Sequence, residues 1–170
     1  TRGGAVGVPL HHPPCQVCAY PDVPPRMRPI LGVASAHPAV HGTCVYCDAL
    51  AEETSAGPRV IAETDGFVAF VPFAARFPYE VHLAPLRHVP SLLDLTATER
   101  TGLAAMLRAL VRGYDRLFDF PLPYVMSMLQ APADGGGHDA VSHLRLEFTP
   151  LHRSPDRLKY LAGSELGAGA

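Results

Sequence analysis

The chain has 170 residues, 48% of them hydrophobic, which is enough to bury the core of one globular domain and argues against a disordered protein. Its formal net charge is −2 and its 14 Lys and Arg residues are scattered, so no basic surface for nucleic acid is expected. No apolar run reaches the roughly 20 residues that cross a bilayer, and no signal-peptide pattern is visible, so we expect a cytoplasmic protein without a membrane partner.

Two short strands are predicted near the start of the chain, at residues 5–10 and 15–20. Pro13 and Pro14 lie between them and exclude one continuous central strand, because proline cannot donate a ladder hydrogen bond. The chain enters this patterned sequence without an initiating Met, so we expect it to be part of a longer protein.

A proline-rich connector is predicted over residues 24–43. We expect a helix from Ile30 onward, because Pro29 suits the first turn of a helix. The largest predicted unit, residues 44–170, follows this connector.

Residues 44–170 predict an α+β unit, in which an antiparallel sheet packs against one long helix. Asp65-Gly66 between two β-rich runs is a strong hairpin signal. The long helix is expected over residues 98–118, with Thr96 and Glu99 at capping-box spacing. The other predicted features are a short helix at 48–54, strands at 59–63, 67–71, 81–85, 123–130 and 143–149, and a core-facing helical stripe of Leu103, Leu107, Leu110, Tyr114 and Leu117.

Four separated residues are of the types that bind zinc. Cys44 and Cys47 form a Cys-x-x-Cys pair, and His88 and His143 follow at a distance. Two thiolates and two imidazoles suit a closed tetrahedral zinc site, whose role is structural. Zinc is therefore the expected cofactor, in a reducing compartment rather than in a disulfide-bonded secreted scaffold.

Two alternatives to this ligand set stay open. Cys15 and Cys18 could join the Cys44 pair in a four-cysteine zinc ribbon. Positions i and i+3 of a strand point to opposite faces, which favours these two cysteines as small apolar residues instead. The second alternative is that His88 and His143 are structural histidines that only make hydrogen bonds.

Polar residues also alternate along the last predicted strand. His143, Arg145 and Glu147 share one face of it, and the segment 12–16, His-Pro-Pro-Cys-Gln, repeats this spacing. Three polar groups on one strand face beside a cleft suit phosphate transfer, which needs a nucleophile and a group that binds phosphoryl oxygens. The alternative is an ordinary strand edge that faces solvent.

Several motifs occur in an order that resembles a known family. They are Gly3-Gly-Ala-Val-Gly7, Cys44-Val-Tyr-Cys47, Pro72-Phe-Ala-Ala-Arg-Phe-Pro78-Tyr-Glu80, Ala84-Pro-Leu-Arg-His88 and His143-Leu-Arg-Leu-Glu147. Together they resemble the histidine-triad fold and, more narrowly, the galactose-1-phosphate uridylyltransferase family, in which two such halves are fused. The resemblance implies that residues 1–23 end an N-terminal half, that 24–43 connect, and that 44–170 are the C-terminal half.

The resemblance also implies an activity. The family transfers a uridylyl group from UDP-glucose to galactose 1-phosphate by double displacement, through a covalent intermediate on histidine. A neutral imidazole suits this role because it is nucleophilic near neutral pH.

The family motif for this step is His-Pro-His-x-Gln, and it falls on residues 12–16. His12 matches a zinc ligand of the first half, and Gln16 matches a phosphate contact. Pro14 occupies the place of the nucleophilic histidine, and Arg145 likewise stands where the second half often keeps a histidine. Proline has no lone pair to offer phosphorus, so the activity of this chain is expected to be impaired.

The second half carries the remaining implied sites. Cys44, Cys47, His88 and His143 match the zinc ligands of histidine-triad proteins. The tail resembles a segment that reaches across a homodimer to the partner's nucleotide, and its implied substrate contacts are Lys159, Tyr160, Gly163 and Glu165.

Two other functions compete with uridylyl transfer. One is a nucleotide hydrolase or phosphorylase of the wider histidine-triad class, with water or phosphate as acceptor. The other is a zinc-stabilised pseudoenzyme that binds the nucleotide sugar without turnover.

Overall fold

The structure is a computed structural model that describes residues 2–8, 17, 20–64 and 66–159. It confirms the predicted α+β class: three helices accompany a five-stranded antiparallel sheet and a small strand pair. The elements are α1 (Met27–His41), α2 (Val45–Ala56), β1 (Val60–Glu63), β2 (Phe67–Phe70), β3 (Val81–Pro85), α3 (Ala97–Leu117), β4 (Tyr124–Leu129), β5 (Arg145–Pro150), β6 (His152–Ser154) and β7 (Arg157–Leu158).

The sheet has the strand order β1-β2-β3-β5-β4, and every neighbouring pair is antiparallel. The five predicted strands of residues 44–170 are all present. Most of their ends are shifted by one or two residues. The last strand begins at Arg145, so His143 lies just before it rather than within it. This places the His143 ring where the chain enters the sheet.

Helix α3 closes one face of the sheet. Its capping box is confirmed, because the Glu99 amide donates to the Thr96 hydroxyl at 3.2 Å and the Thr96 amide donates to the Glu99 carboxylate at 2.8 Å. The predicted stripe is correct for Leu103, Leu110 and Tyr114, which are buried. The prediction missed the buried Met106 and was wrong for Leu117, which is 40% exposed because the helix ends there.

Both shorter helices begin three residues before their predicted starts. Helix α1 begins at Met27 rather than Ile30, with Pro29 still in its first turn, where a missing amide costs nothing. Helix α2 begins at Val45 rather than Asp48, and extended Cys44 is its N-cap. The Cys-x-x-Cys pair therefore lies on the first turn of a helix, where positions three apart share a face.

The predicted strand at 5–10 is wrong at its start. Residues Gly4–Val6 form a 3₁₀ turn, and Arg2 instead pairs with Tyr124 on the edge of the sheet. Gly3 permits this close approach, because its φ is 97° and an added Cβ would lie 2.6 Å from the Pro123 Cβ. Most of the second predicted strand lies outside the described residues. None of the helices within the described part of the chain meets the length and apolarity that crossing a bilayer requires.

Candidate metal centre and arginine cluster

The four predicted metal ligands converge at one end of α2. Cys44 and Cys47 come from its first turn, His88 from the loop after β3, and His143 from the approach to β5. Their ligand atoms all lie within 4.8 Å of one another. The Cys47 Sγ is 3.4 Å from the His88 Nδ1 and 3.6 Å from the His143 Nδ1. A tetrahedral zinc ion separates a sulfur and a nitrogen ligand by about 3.5 Å, so the cluster has the right size.

Backbone carbonyls fix the tautomer of both histidines. The His88 Nε2–H donates to the Asp139 carbonyl at 2.7 Å, and the His143 Nε2–H donates to the Pro85 carbonyl at 2.9 Å. A carbonyl can only accept, so each Nε2 carries a proton, and the neutral form of each ring presents its Nδ1 lone pair to the thiols. The four residues therefore fit a zinc ion in number, donor type and spacing.

Burial shapes the protonation of this cluster. Desolvation lowers the pKa of His143 to about 4, so its ring is neutral and able to ligate. Desolvation, followed by the neighbouring Cys44, raises the pKa of the Cys47 thiol to about 11. Without a cation this thiol stays protonated at neutral pH, whereas a bound divalent cation favours the thiolate.

A second cluster of side chains lies on β5, which begins two residues after His143. Arg145 and Glu147 share a strand face as predicted, and the Arg145 Nε donates to the Glu147 Oε1 at 3.0 Å. Arg26 and Arg76 approach the other oxygen of Glu147. We call Arg26, Arg76, Arg145, Glu80 and Glu147 the arginine cluster.

Sequence reasoning missed three members of this cluster, Arg26, Arg76 and Glu80. One signal was available: Glu80 and His82 are polar residues at an interval of two in an otherwise apolar strand region. His82 pairs in register with Glu147 across β3 and β5, and its ring donates to Glu80 at 3.1 Å. Arg26 offered no local signal, because 121 residues separate it from Glu147.

Glu80 gives the arginine cluster a testable pH dependence. Burial acts to raise the pKa of its carboxyl, but hydrogen bonds from His82 and from the Phe77 and Arg76 amides outweigh burial and hold the pKa below 4.5. The unfolded chain therefore binds the proton more readily than the folded chain. Glu80 stabilises the fold above pH 4.5, and this contribution is lost as the pH falls through the folded value.

We expect Glu80→Gln to destabilise the chain near neutral pH and to narrow its difference from wild type in acid. Hydrogen bonds to charged groups contribute about 1.5–3 kcal/mol, so the loss near pH 7 should be of that order. Urea unfolding at about pH 7 and pH 4 measures both values. Glu52→Gln, at an exposed position of α2, is the matched control. If the free energy of unfolding depends on pH equally in both variants, Glu80 is not the source of the pH dependence.

The other predicted site residues divide into two groups. Lys159 lines a cleft of about 450 Å³ together with Pro78, Arg153 and Leu158. The remaining predicted site residues lie outside the described residues; they are His12, Pro14, Gln16, Tyr160, Gly163 and Glu165. The alternative ligands Cys15 and Cys18 also lie outside the described residues.

Comparison with solved structures defines the class of protein. The chain superposes on a structure described as a uridylyltransferase with a TM-score of 0.86 and 35% identity, over 98% of this chain and 52% of that chain. It also superposes on an ADP-glucose phosphorylase from Arabidopsis thaliana with a TM-score of 0.81, over 99% of this chain and 51% of that chain, but at 24% identity this likeness concerns the fold alone.

Sequence comparison gives the family. Residues 33–169 match the model of the galactose-1-phosphate uridyl transferase C-terminal domain. A galactose-1-phosphate uridylyltransferase of Thermotoga maritima is 38% identical over 99% of this chain and 52% of its own length. The enzyme of the same name from Streptomyces lividans is 41% identical over 77% of this chain and 38% of its own length.

The chain belongs to the galactose-1-phosphate uridylyltransferase family. Some curated relatives match nearly all of this chain, and the chain spans about half of their length.

Proposed function

We propose that the chain is the C-terminal portion of a UDP-glucose:hexose-1-phosphate uridylyltransferase, which moves a uridylyl group between UDP-glucose and galactose 1-phosphate. The observation that carries this proposal is the family match over residues 33–169. The Cys₂His₂ centre supports it, because the four residues carried over from the resemblance meet with zinc-ligand spacing.

In this proposal the metal centre is structural. Zinc would supply cross-linking of α2, the loop after β3 and the approach to β5, since four protein ligands leave no open position for substrate. The residues of the chain do the rest: the two backbone carbonyls orient the imidazoles, and α2 presents the thiols. The scaffold thus holds β5, and with it the arginine cluster, in a fixed register.

The chemical step of the family requires a nucleophile. An imidazole nitrogen forms a bond to the α-phosphorus as the bond to the glucose 1-phosphate oxygen breaks, and an oxygen of galactose 1-phosphate then displaces the imidazole. Pro14 stands at the nucleophile position, beside His12 as a zinc ligand and Gln16 as a phosphate contact. Its nitrogen belongs to a tertiary amide, so we propose that this step is impaired in the chain as written.

We further propose that the protein acts as a cytoplasmic homodimer. The tail residues Lys159, Tyr160, Gly163 and Glu165 would contact the nucleotide of the partner. The cleft that Lys159 lines supports a ligand contact at the start of this tail. Residues 1–23 would complete the other half of the enzyme, and residues 24–43, which include α1, would connect the two halves.

A second candidate function follows from Pro14. A zinc-stabilised protein that binds the nucleotide sugar without turnover would retain the scaffold and lose the nucleophile. A hydrolase or phosphorylase would instead release the nucleotide to water or phosphate.

Incubation with UDP-glucose labelled at the α-phosphate tests these functions. We expect saturable binding of UDP-glucose in preference to ADP-glucose, and weaker binding by Lys159→Gln than by the control Arg112→Gln. Label retained after denaturation would demonstrate a uridylyl intermediate, and binding without retained label would support the impaired enzyme. Release of labelled nucleotide to water or phosphate would support the hydrolase or phosphorylase, and a lack of nucleotide binding would contradict the proposal.

A further inference from the structure

Three guanidinium groups surround one buried carboxylate. The Arg145 Nε lies 3.0 Å from the Glu147 Oε1, while the Arg26 and Arg76 Nη2 atoms lie 2.9 and 3.6 Å from the Glu147 Oε2. The Glu147 side chain is only 7% exposed. One carboxylate is therefore the common partner of three cations.

The second carboxylate of the cluster is already engaged. The Glu80 Oε2 accepts the Arg76 and Phe77 amides at 2.7 and 3.0 Å, and its Oε1 accepts from His82 at 3.1 Å. The Arg76 Nη2 remains 3.7 Å away. Three guanidinium groups therefore face two carboxylates, so the cluster has one uncompensated positive charge.

Several hydrogen-bond donors of the cluster remain unused. A guanidinium has five N–H donors in a planar fork. The Arg76 guanidinium makes no hydrogen bond to the part of the chain that the structure describes, since its carboxylate contacts are at 3.6 and 3.7 Å. The Arg26 and Arg76 side chains are 53% and 39% exposed, so both are open to a ligand.

The surroundings keep this charge in place. The buried Arg145 guanidinium stacks on the Tyr46 ring, 4.7 Å from its centroid, which limits its movement. Arg26 is also the N-cap of α1, a 15-residue helix whose first turn carries no acidic residue. The positive end of this helix therefore adds to the local potential rather than cancelling it.

We propose that Arg26 and Arg76 form a binding site for a phosphate group, with Glu147 and Arg145 holding the two forks in position. Two guanidinium groups that approach the same oxygen can both contact one tetrahedral oxyanion, and the planar fork matches phosphate oxygens in pairs. A phosphate dianion also neutralises the excess positive charge of the cluster, which a neutral ligand cannot do. This inference does not depend on uridylyl transfer.

Calorimetric titration of the zinc-loaded chain with inorganic phosphate at low ionic strength tests the site. We expect saturable binding that Arg76→Gln and Arg26→Gln each weaken by about tenfold or more, the loss of one charge-assisted contact. Arg112→Gln, an exposed arginine of α3, should bind as wild type does. Arg76→Lys should lose an intermediate amount, because it keeps the charge without the fork.

Galactose 1-phosphate in the same titration distinguishes the source of the phosphate group. If it binds more tightly than inorganic phosphate with the same dependence on Arg76, the ligand is a sugar phosphate; if it binds less tightly, the ligand is free phosphate. Circular dichroism of each variant confirms its fold. A lack of saturable binding by either compound, or equal affinity in the Arg26, Arg76 and Arg112 variants, would overturn the proposal.

Discussion

Replacing Cys47 by Ser should remove the zinc that we propose for the Cys₂His₂ centre and leave a poorly folded chain. Structural zinc contributes about 10–16 kcal/mol in zinc-finger peptides, which is comparable to the whole stability of a domain, about 5–15 kcal/mol. If a third of that energy is lost here, the thermal midpoint falls by about 10 °C or more. Metal analysis should find one zinc per wild-type chain and far less in the variant.

Cys18→Ser is the matched control for the metal experiment. It removes a thiol of the other Cys-x-x-Cys pair, so it should keep both the metal and the thermal midpoint. Loss of zinc in the Cys18 variant would favour the four-cysteine ribbon. If the purified wild type carries no metal and the Cys47 variant is as stable as the wild type, a structural metal site is excluded.

Pro14→His should restore the covalent step when the chain is joined to the N-terminal half of its Thermotoga maritima relative. Loss of the nucleophile in another covalent enzyme costs about 10⁶ in turnover, so a gain of several orders of magnitude is expected. The measurement is the α-phosphate label of UDP-glucose retained on denatured protein, followed by its transfer to galactose 1-phosphate. Both readouts should be near background with Pro14.

Pro13→His controls for the mere presence of an imidazole in the same segment. It places the ring one residue away, so it should not trap label. Equal labelling of the two variants would show that the position of the imidazole does not matter. If the Pro14→His fusion folds but is inactive, this result would count against the assignment of Pro14 to the nucleophile position.

Local chemistry explains which elements could be predicted from the sequence. The capping box of Thr96 and Glu99 located the start of α3, and the alternation of polar and apolar residues at 143–147 located β5. The convergence of the four side chains could be predicted because few residue types bind zinc, so Cys44 and Cys47 pointed to distant histidines.

The arginine cluster could not be predicted in the same way. Arginine is common on surfaces, and Arg26 and Arg76 meet Glu147 only through the packing of distant segments. The predicted start of α2 at residue 48 was three residues too late, because extended Cys44 caps the helix directly. Residues Gly4–Val6 form a 3₁₀ turn that ends at Gly7, whose φ of 78° lies in a region that a strand does not use, and this turn occupies the start of the strand expected over residues 5–10.

Tyr46 lies between the two clusters described above. In the sequence it separates Cys44 from Cys47, its ring centroid is 6.4 Å from that of His143, and the Arg145 guanidinium stacks on it at 4.7 Å. The chain contains no tryptophan, so tyrosine emission is not masked by energy transfer to an indole. Tyr46 is one of six tyrosines, so the part of the emission that Tyr46→Phe removes would report optically on both the thiols and the guanidinium groups.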